Sequence, residues 1–277
     1  MDGLKTSVRR QALVNTLEAI YRQYHQRAYV HPDPLEFLYA WEDVKEREIV
    51  GLVAACLAYG RVVQILKSVA VILEAIGPSP RRFITRSTLK TMSQTFSGFR
   101  HRFADGDQMA ALLYGAGRVV RQFGSLENGL AAGLTPDREN LLPAMTHFFG
   151  QLTRGRRSPG HLLPDPGKNS ACKRLHLYLR WMVRKDRVDP GGWRCVAPSE
   201  LMVPLDTHMH DVGRRLGFTQ RHQADRRTAL EVTAGFKAIC AEDPVRYDFS
   251  LTRLGIRSEL DMDCLPSQAT LTSFASP

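Results

Sequence analysis

Two residues far apart in the chain have types and settings suited to nucleophilic chemistry. Lys173 stands three positions after Ser170, near the start of a stretch with helical periodicity. An ammonium there faces the positive end of the helix dipole, and the neighbouring Arg174 adds like charge; both favour the neutral amine. A lysine kept partly neutral can attack an electrophilic carbon. Asp206 lies in Pro204-Leu205-Asp206-Thr207-His208, a string that opens a second helix with Asp206 as its N-cap. Free backbone N–H groups and the helix dipole favour its carboxylate form. Such a carboxylate can hold a proton or stabilise developing positive charge. Taken singly, each has a plainer reading: a solvated lysine and a helix cap.

Rival chemistries are weaker. Lys168 is a second candidate nucleophile, but it falls in a turn, where no helix dipole would favour the neutral amine. His208 and His210 suggest a metal site with Asp206. Asp206 and His210 share a helix face at i, i+4, whereas His208 at i+2 points nearly opposite. No HExxH string or third convergent ligand appears, so neither a metal nor a cofactor is expected. Cys172 at a helix start could be a reactive thiolate, but no histidine partner is placed beside it, and a packed thiol is the plainer reading. The five cysteines are scattered without a CxxC pair. Neither a disulfide framework nor a structural zinc site follows, and a reducing cytosol fits best.

The elements that must position these residues read as helices. Apolar residues at helical spacing run from Ser7 to about Tyr29, and Pro32 stops them. Asp33 then caps a new helix with Pro34 in its first turn. Arg47 to Ile76 is a long apolar helical stretch, bent or broken at Gly60 and ended by Gly77-Pro78-Ser79-Pro80. Further helices are expected over 106–122 and 138–152. A Gly/Pro-rich loop spans Thr153 to Asn169. Helix resumes from Ser170 to Lys185, gives way to an irregular stretch to Pro204, and returns over Asp206–Leu216, closed by Gly217, and over 223–241. Strand alternation is nearly absent, so the fold class is all-α. The chain divides into N-terminal helices over 1–46 that pack with the C-terminal lobe, a helical-bundle lobe over 47–160, and a hairpin-containing catalytic lobe over 161–277.

With 277 residues, 43% hydrophobic and 24% charged, the chain can build a substantial core, and wholesale disorder is excluded. Lysine and arginine number 38 against 28 acidic residues, a net charge of +10 that suits a polyanionic partner. The longest apolar run, Ile49 to Gly60, is well short of the roughly 20 residues a spanning helix needs. The first residues lack a signal-peptide h-region. No membrane association is expected, and the chain reads as cytoplasmic and associated with the nucleoid.

The loop, the lysine and an Asp-Thr-His string some 30 residues later together resemble the helix-hairpin-helix DNA glycosylase superfamily, the endonuclease III-like enzymes. The 33-residue separation of Lys173 and Asp206 is closest to the archaeal 8-oxoguanine DNA glycosylase variant. The strings DPLEFLYAWED, LAYGR, HRF, LLPDP, ACKRLHLYLRWMVRKD, PLDTH and DPVRYDFSLTRLGI, spread over residues 33–256, also look like a bacterial family of unknown function. The glycosylase resemblance implies a two-lobed helical fold with the active cleft between the lobes. It implies that Lys173 attacks C1′ of a flipped nucleotide while Asp206 stabilises the oxocarbenium-like charge and helps activate the lysine. Thr207, His208 and Arg215-Leu216-Gly217 complete the likeness of the aspartate helix. The implied partner is double-stranded DNA, bound by a monomer, with an oxidised purine among the candidate lesions.

Other roles follow from that implication. Gly167 and Lys168 lie in the hairpin that would grip a phosphate. Among several basic clusters, Arg154, Arg156 and Arg157 lead directly into it. An everted base needs a pocket and a wedge. Trp181, Trp193, Tyr247 and Phe249 are the pocket candidates, and Tyr59, Arg61 and Gln64 the wedge candidates; each aromatic has an ordinary core reading as well. The chain also departs from the pattern. Its hairpin, Leu163 to Lys173, is about four residues longer than the usual Leu-Pro-Gly-Val-Gly-x-Lys and holds one glycine. Asp211 replaces an arginine often found five residues past the aspartate, and the four-cysteine iron–sulfur motif is missing. These departures motivate the alternative of a non-catalytic nucleic-acid-binding protein on the same scaffold. Action on RNA or free nucleotides also stays open.

Overall fold

The computed structural model describes residues 2–155 and 157–256. They are predominantly helical, the all-α class expected. In chain order the helices are α1 (Asp2–Tyr24), α2 (Val44–Leu57), α3 (Val62–Ile76), α4 (Pro80–Arg86), α5 (Leu89–Thr95), α6 (Gly106–Phe123), α7 (Leu126–Ala131), α8 (Leu142–Thr153), α9 (Lys173–Val183), α10 (Thr207–Arg215), α11 (Arg226–Ile239) and α12 (Asp248–Ile256). Between α5 and α6 a two-residue strand β1 (Arg100–His101) pairs antiparallel with β2 (Ala104–Asp105). This hairpin leaves no trace in the hydropathy pattern, because two-residue strands are too short to show alternation.

Side-chain caps set many of the boundaries. Asp33 Oδ1 accepts from the Leu35 N–H and opens a 3-10 turn over Pro34–Ala40, in place of the α-helix expected there. Asp43, Thr88, Ser125 and Asp225 cap α2, α5, α7 and α11, and Asp105 with Gln108 forms a capping box on α6. The long apolar stretch does break near Gly60, which lies between the end of α2 and the start of α3. Among the described residues no single helix is long and apolar enough to cross a membrane. α3 and α4 approach that length only as a pair bent by 66°.

The described chain forms two compact units, with boundaries that differ from the sequential segments 1–46, 47–160 and 161–277. The first unit comprises 2–29, 169–173 and 198–256. Within it α1 and α10 both pack on α12, and α10 also packs on α11. Glu18 of α1 anchors this arrangement, accepting from Arg246 Nε (3.0 Å) and the Tyr247 hydroxyl (2.7 Å). The second unit comprises 30–168 and 174–197. Its α6 packs against α4, α5, α7 and α8, and α2 is buried along nearly its whole length from Glu48 to Leu57.

Candidate active site

The first unit brings Lys173 and Asp206 together. Lys173 is the first residue of α9, three positions later than the start expected at Ser170. The delay has a local cause. Ser170 makes an isolated antiparallel bridge with Asp225, and the Ser170 Oγ accepts from the Cys172 N–H at 3.2 Å. Cys172 then takes a left-handed conformation, φ 45°, which a helix cannot continue through. Such backbone strain in a non-glycine residue persists only where its surroundings hold it, and here it adjoins the candidate nucleophile.

Asp206 is the N-cap of α10, with extended backbone and Oδ1 accepting from the Met209 N–H at 2.9 Å. That bond orients the carboxylate and leaves Oδ2 toward Lys173, whose Nζ lies 3.4 Å away. The two side chains are 34% and 19% exposed, so water reaches both. An ammonium has three donors and a carboxylate about four acceptor positions. This single contact uses little of that capacity.

A platform around Asp225 holds both segments in register. Asp225 Oδ1 accepts from the Thr228 N–H (3.0 Å), while Oδ2 accepts from Arg221 Nη2 (2.7 Å) and Asn169 Nδ2 (3.3 Å). The Thr228 N–H, followed by Arg221, holds its carboxyl down at about 2. Asn169 leads toward Lys173. On the other side, His210 of α10 donates from Nε2 to the Arg221 carbonyl at 2.9 Å. At Gly213 a Cβ would come within 2.5 Å of Val232 Cγ2, so a bare backbone lets α10 lie close on α11. Sequence reasoning missed Asp225, Arg221 and Asn169. The available signal was Asp225 itself, a preferred N-cap residue type near the start of the helix expected over 223–241.

The other candidates are dispersed. His208 is half-buried on α10. Gly167 and Lys168 are exposed in a turn of the second unit, where Asp165 Oδ1 accepts from the Gly167 N–H (2.8 Å) and the Asp165 carbonyl from the Lys168 N–H (3.2 Å). Arg154 is exposed at the C-cap of α8 and, with Arg118, Arg121, Gln122 and Gln151, lines a cavity of about 370 Å³. Arg157 is already engaged by Asp107 Oδ1 at 2.5 Å and by Ser93 Oγ at 3.1 Å. Arg156 lies outside the described residues. Arg61 and Gln64 are exposed, while Tyr59 is half-buried beneath the Arg174 guanidinium, 4.8 Å from its ring centroid.

The aromatic pocket candidates need correction. Trp181 is 1% exposed, and Trp193, Tyr247 and Phe249 are likewise sealed in. Their rings are core, with no open face on which a base could stack. Among the described residues no three His, Cys, Asp or Glu side chains are grouped so as to hold a metal ion.

Fold and site therefore define an all-α protein that presents a lysine and an aspartate from the N-terminal ends of two helices. The chain belongs to the family described as "protein of unknown function (DUF2400)", whose profile matches residues 33–257. No curated protein and no solved structure matches the chain.

Proposed function

We propose that the protein is a DNA glycosylase of the helix-hairpin-helix class that can also cleave at the resulting abasic site. The observation that carries this reading is the 3.4 Å approach of Lys173 Nζ to Asp206 Oδ2 between residues 33 positions apart, both partly open to solvent. The net charge of +10 suits a phosphate backbone. The reading includes a glycosylase-like arrangement of the fold, duplex DNA as partner, action as a monomer and residence at the nucleoid.

In this mechanism Lys173 attacks as the free amine. Asp206 takes up its proton or balances the positive charge that develops on the sugar. The Nζ–C1′ bond forms as the glycosidic bond breaks, and the base departs with the electron pair and is protonated. Opening of the sugar ring gives an imine. Elimination of the 3′ phosphate nicks the strand, and water releases the lysine. Borohydride reduces the imine, so the wild-type chain should become covalently linked to a lesion-bearing duplex, whereas Lys173→Gln should not. No adduct across a panel of lesions, or equal trapping of Lys173→Gln, rejects the lyase step. Absence of free-base release in a parallel assay rejects the glycosylase step.

A further inference from the structure

Two strings noted in the sequence, Leu57-Ala58-Tyr59-Gly60-Arg61 and His101-Arg102-Phe103, meet in the second unit. The Tyr59 hydroxyl donates to the His101 carbonyl, and His101 Nε2 lies against the Tyr59 carbonyl, each at 3.0 Å. A carbonyl only accepts, so Nε2 carries the proton. Burial lowers the pKa of His101 and keeps the ring neutral, which leaves Nδ1 to accept from the Ser68 hydroxyl at 2.8 Å. At Gly60, φ is 97° and a Cβ would come within 2.8 Å of Arg102 Cδ. The β1–β2 hairpin is thus fastened to the α2–α3 loop, with Arg102 in the left-handed region at φ 53°.

This clasp holds Phe103 out at the hairpin tip, 71% exposed. The His161 ring meets it edge-on at 5.6 Å, and the Arg102 guanidinium lies 5.3 Å from its centroid. His161 in turn meets Tyr59 edge-on at 5.0 Å, so the rings form a supported row. Arg61, Arg100 and Arg102 are exposed on the same two loops. Of the nearby acids, Asp105 is committed to capping α6 and Asp107 to Arg157. Phe103 and, at the start of α3, Val63 are the exposed large apolar side chains of these segments, far less than a protein partner buries. A rigid exposed ring among guanidinium groups is instead the composition that stacks nucleobases and neutralises their phosphates.

We propose that Phe103 stacks against an unpaired base of DNA, with Arg61, Arg100 and Arg102 on the flanking phosphates. This replaces Tyr59 as the ring that meets DNA, because Tyr59 is the support beneath. The proposal takes its partner from the DNA reading above but needs neither Lys173 nor Asp206.

The test is equilibrium binding of the full chain to short duplexes with 2-aminopurine either unpaired or fully paired. Phe103→Ala should weaken binding to the unpaired form about tenfold or more and abolish quenching of the fluorophore. Phe103→Trp should restore both, and the fully paired duplex should respond several-fold less. Thermal melting of each variant checks that the exposed substitution leaves folding intact. Equal binding by Phe103→Ala, failure of Phe103→Trp to rescue, or no DNA binding by the wild type overturns the proposal. Binding is read without base release, so loss of the glycosylase reading leaves a positive stacking result standing, and the reverse holds too.

Discussion

Two acid–base groupings in the chain are built on opposite plans. In the second unit, Asp189 is 0% exposed and is grasped by two buried arginines. Arg180 donates from Nε to both carboxylate oxygens at 3.2 Å and from Nη2 to Oδ1 at 3.0 Å, and Arg184 donates from Nη1 to Oδ2. Asp186 Oδ2 lies 2.9 Å from Arg184 Nη2. In the first unit, Lys173 and Asp206 share one longer contact at a solvent-reachable site. A grouping that has given up its water must be fully satisfied, since the lost hydration is returned only by good partners. A pair that keeps water and spare hydrogen-bonding capacity adds little to stability and stays open to a reactant.

Breaking the buried grouping should have the largest effect on stability. Asp189→Ala takes the shared carboxylate away from two desolvated guanidinium groups, a loss of about 3–5 kcal/mol. Urea denaturation measures it; a loss under about 1 kcal/mol, the scale of an exposed pair, would erase the contrast. Glu48 sharpens the comparison. It is buried like Asp189, but its carboxylate accepts from neutral donors: the N–H groups of Leu126 (2.8 Å) and Glu127 (3.1 Å) and Trp193 Nε1 (3.1 Å). Burial pushes its pKa up to about 7 from the ordinary value of 4.5. Between those values the folded chain keeps a proton that the unfolded chain has lost. Stability therefore falls as pH rises through the window and levels off above it, by up to about 3 kcal/mol. Glu48→Gln should remove that component of the pH dependence; parallel wild-type and variant curves would refute it.

The buried grouping and the half-buried pair are not equally legible. Asp206 as the cap of α10 could be read from its string, because capping is local chemistry. So could the break at Gly60 and α6, whose long amphipathic run carries several helical periods. α4, α5, α7 and α12 leave no clear mark in the pattern, each being nine residues or fewer. The sequence marks Lys173 but not its strained approach through Cys172, since Ser170 is held by Asp225, 55 positions further on. The aromatics show the same limit. Trp181 and Phe103 are equally apolar in sequence, and only packing makes one core and the other a surface ring.

The half-buried pair should show the smallest change in stability. Asp206→Asn removes the charge but keeps an oxygen for the Met209 N–H, and Asn caps helices about as well as Asp. The lost ion pair is partly solvated, so unfolding free energy should shift by less than about 1 kcal/mol. On the proposed glycosylase reading, base release should nevertheless fall about 100-fold or more, the range for removing a positioned acid–base group. Asp206→Ala separates the two roles, because it also loses the cap, about 1 kcal/mol in a typical helix. If Asp206→Asn unfolds as readily as Asp189→Ala, the carboxylate is a structural anchor. If it releases base at the wild-type rate, the charge beside Lys173 has no part in the reaction.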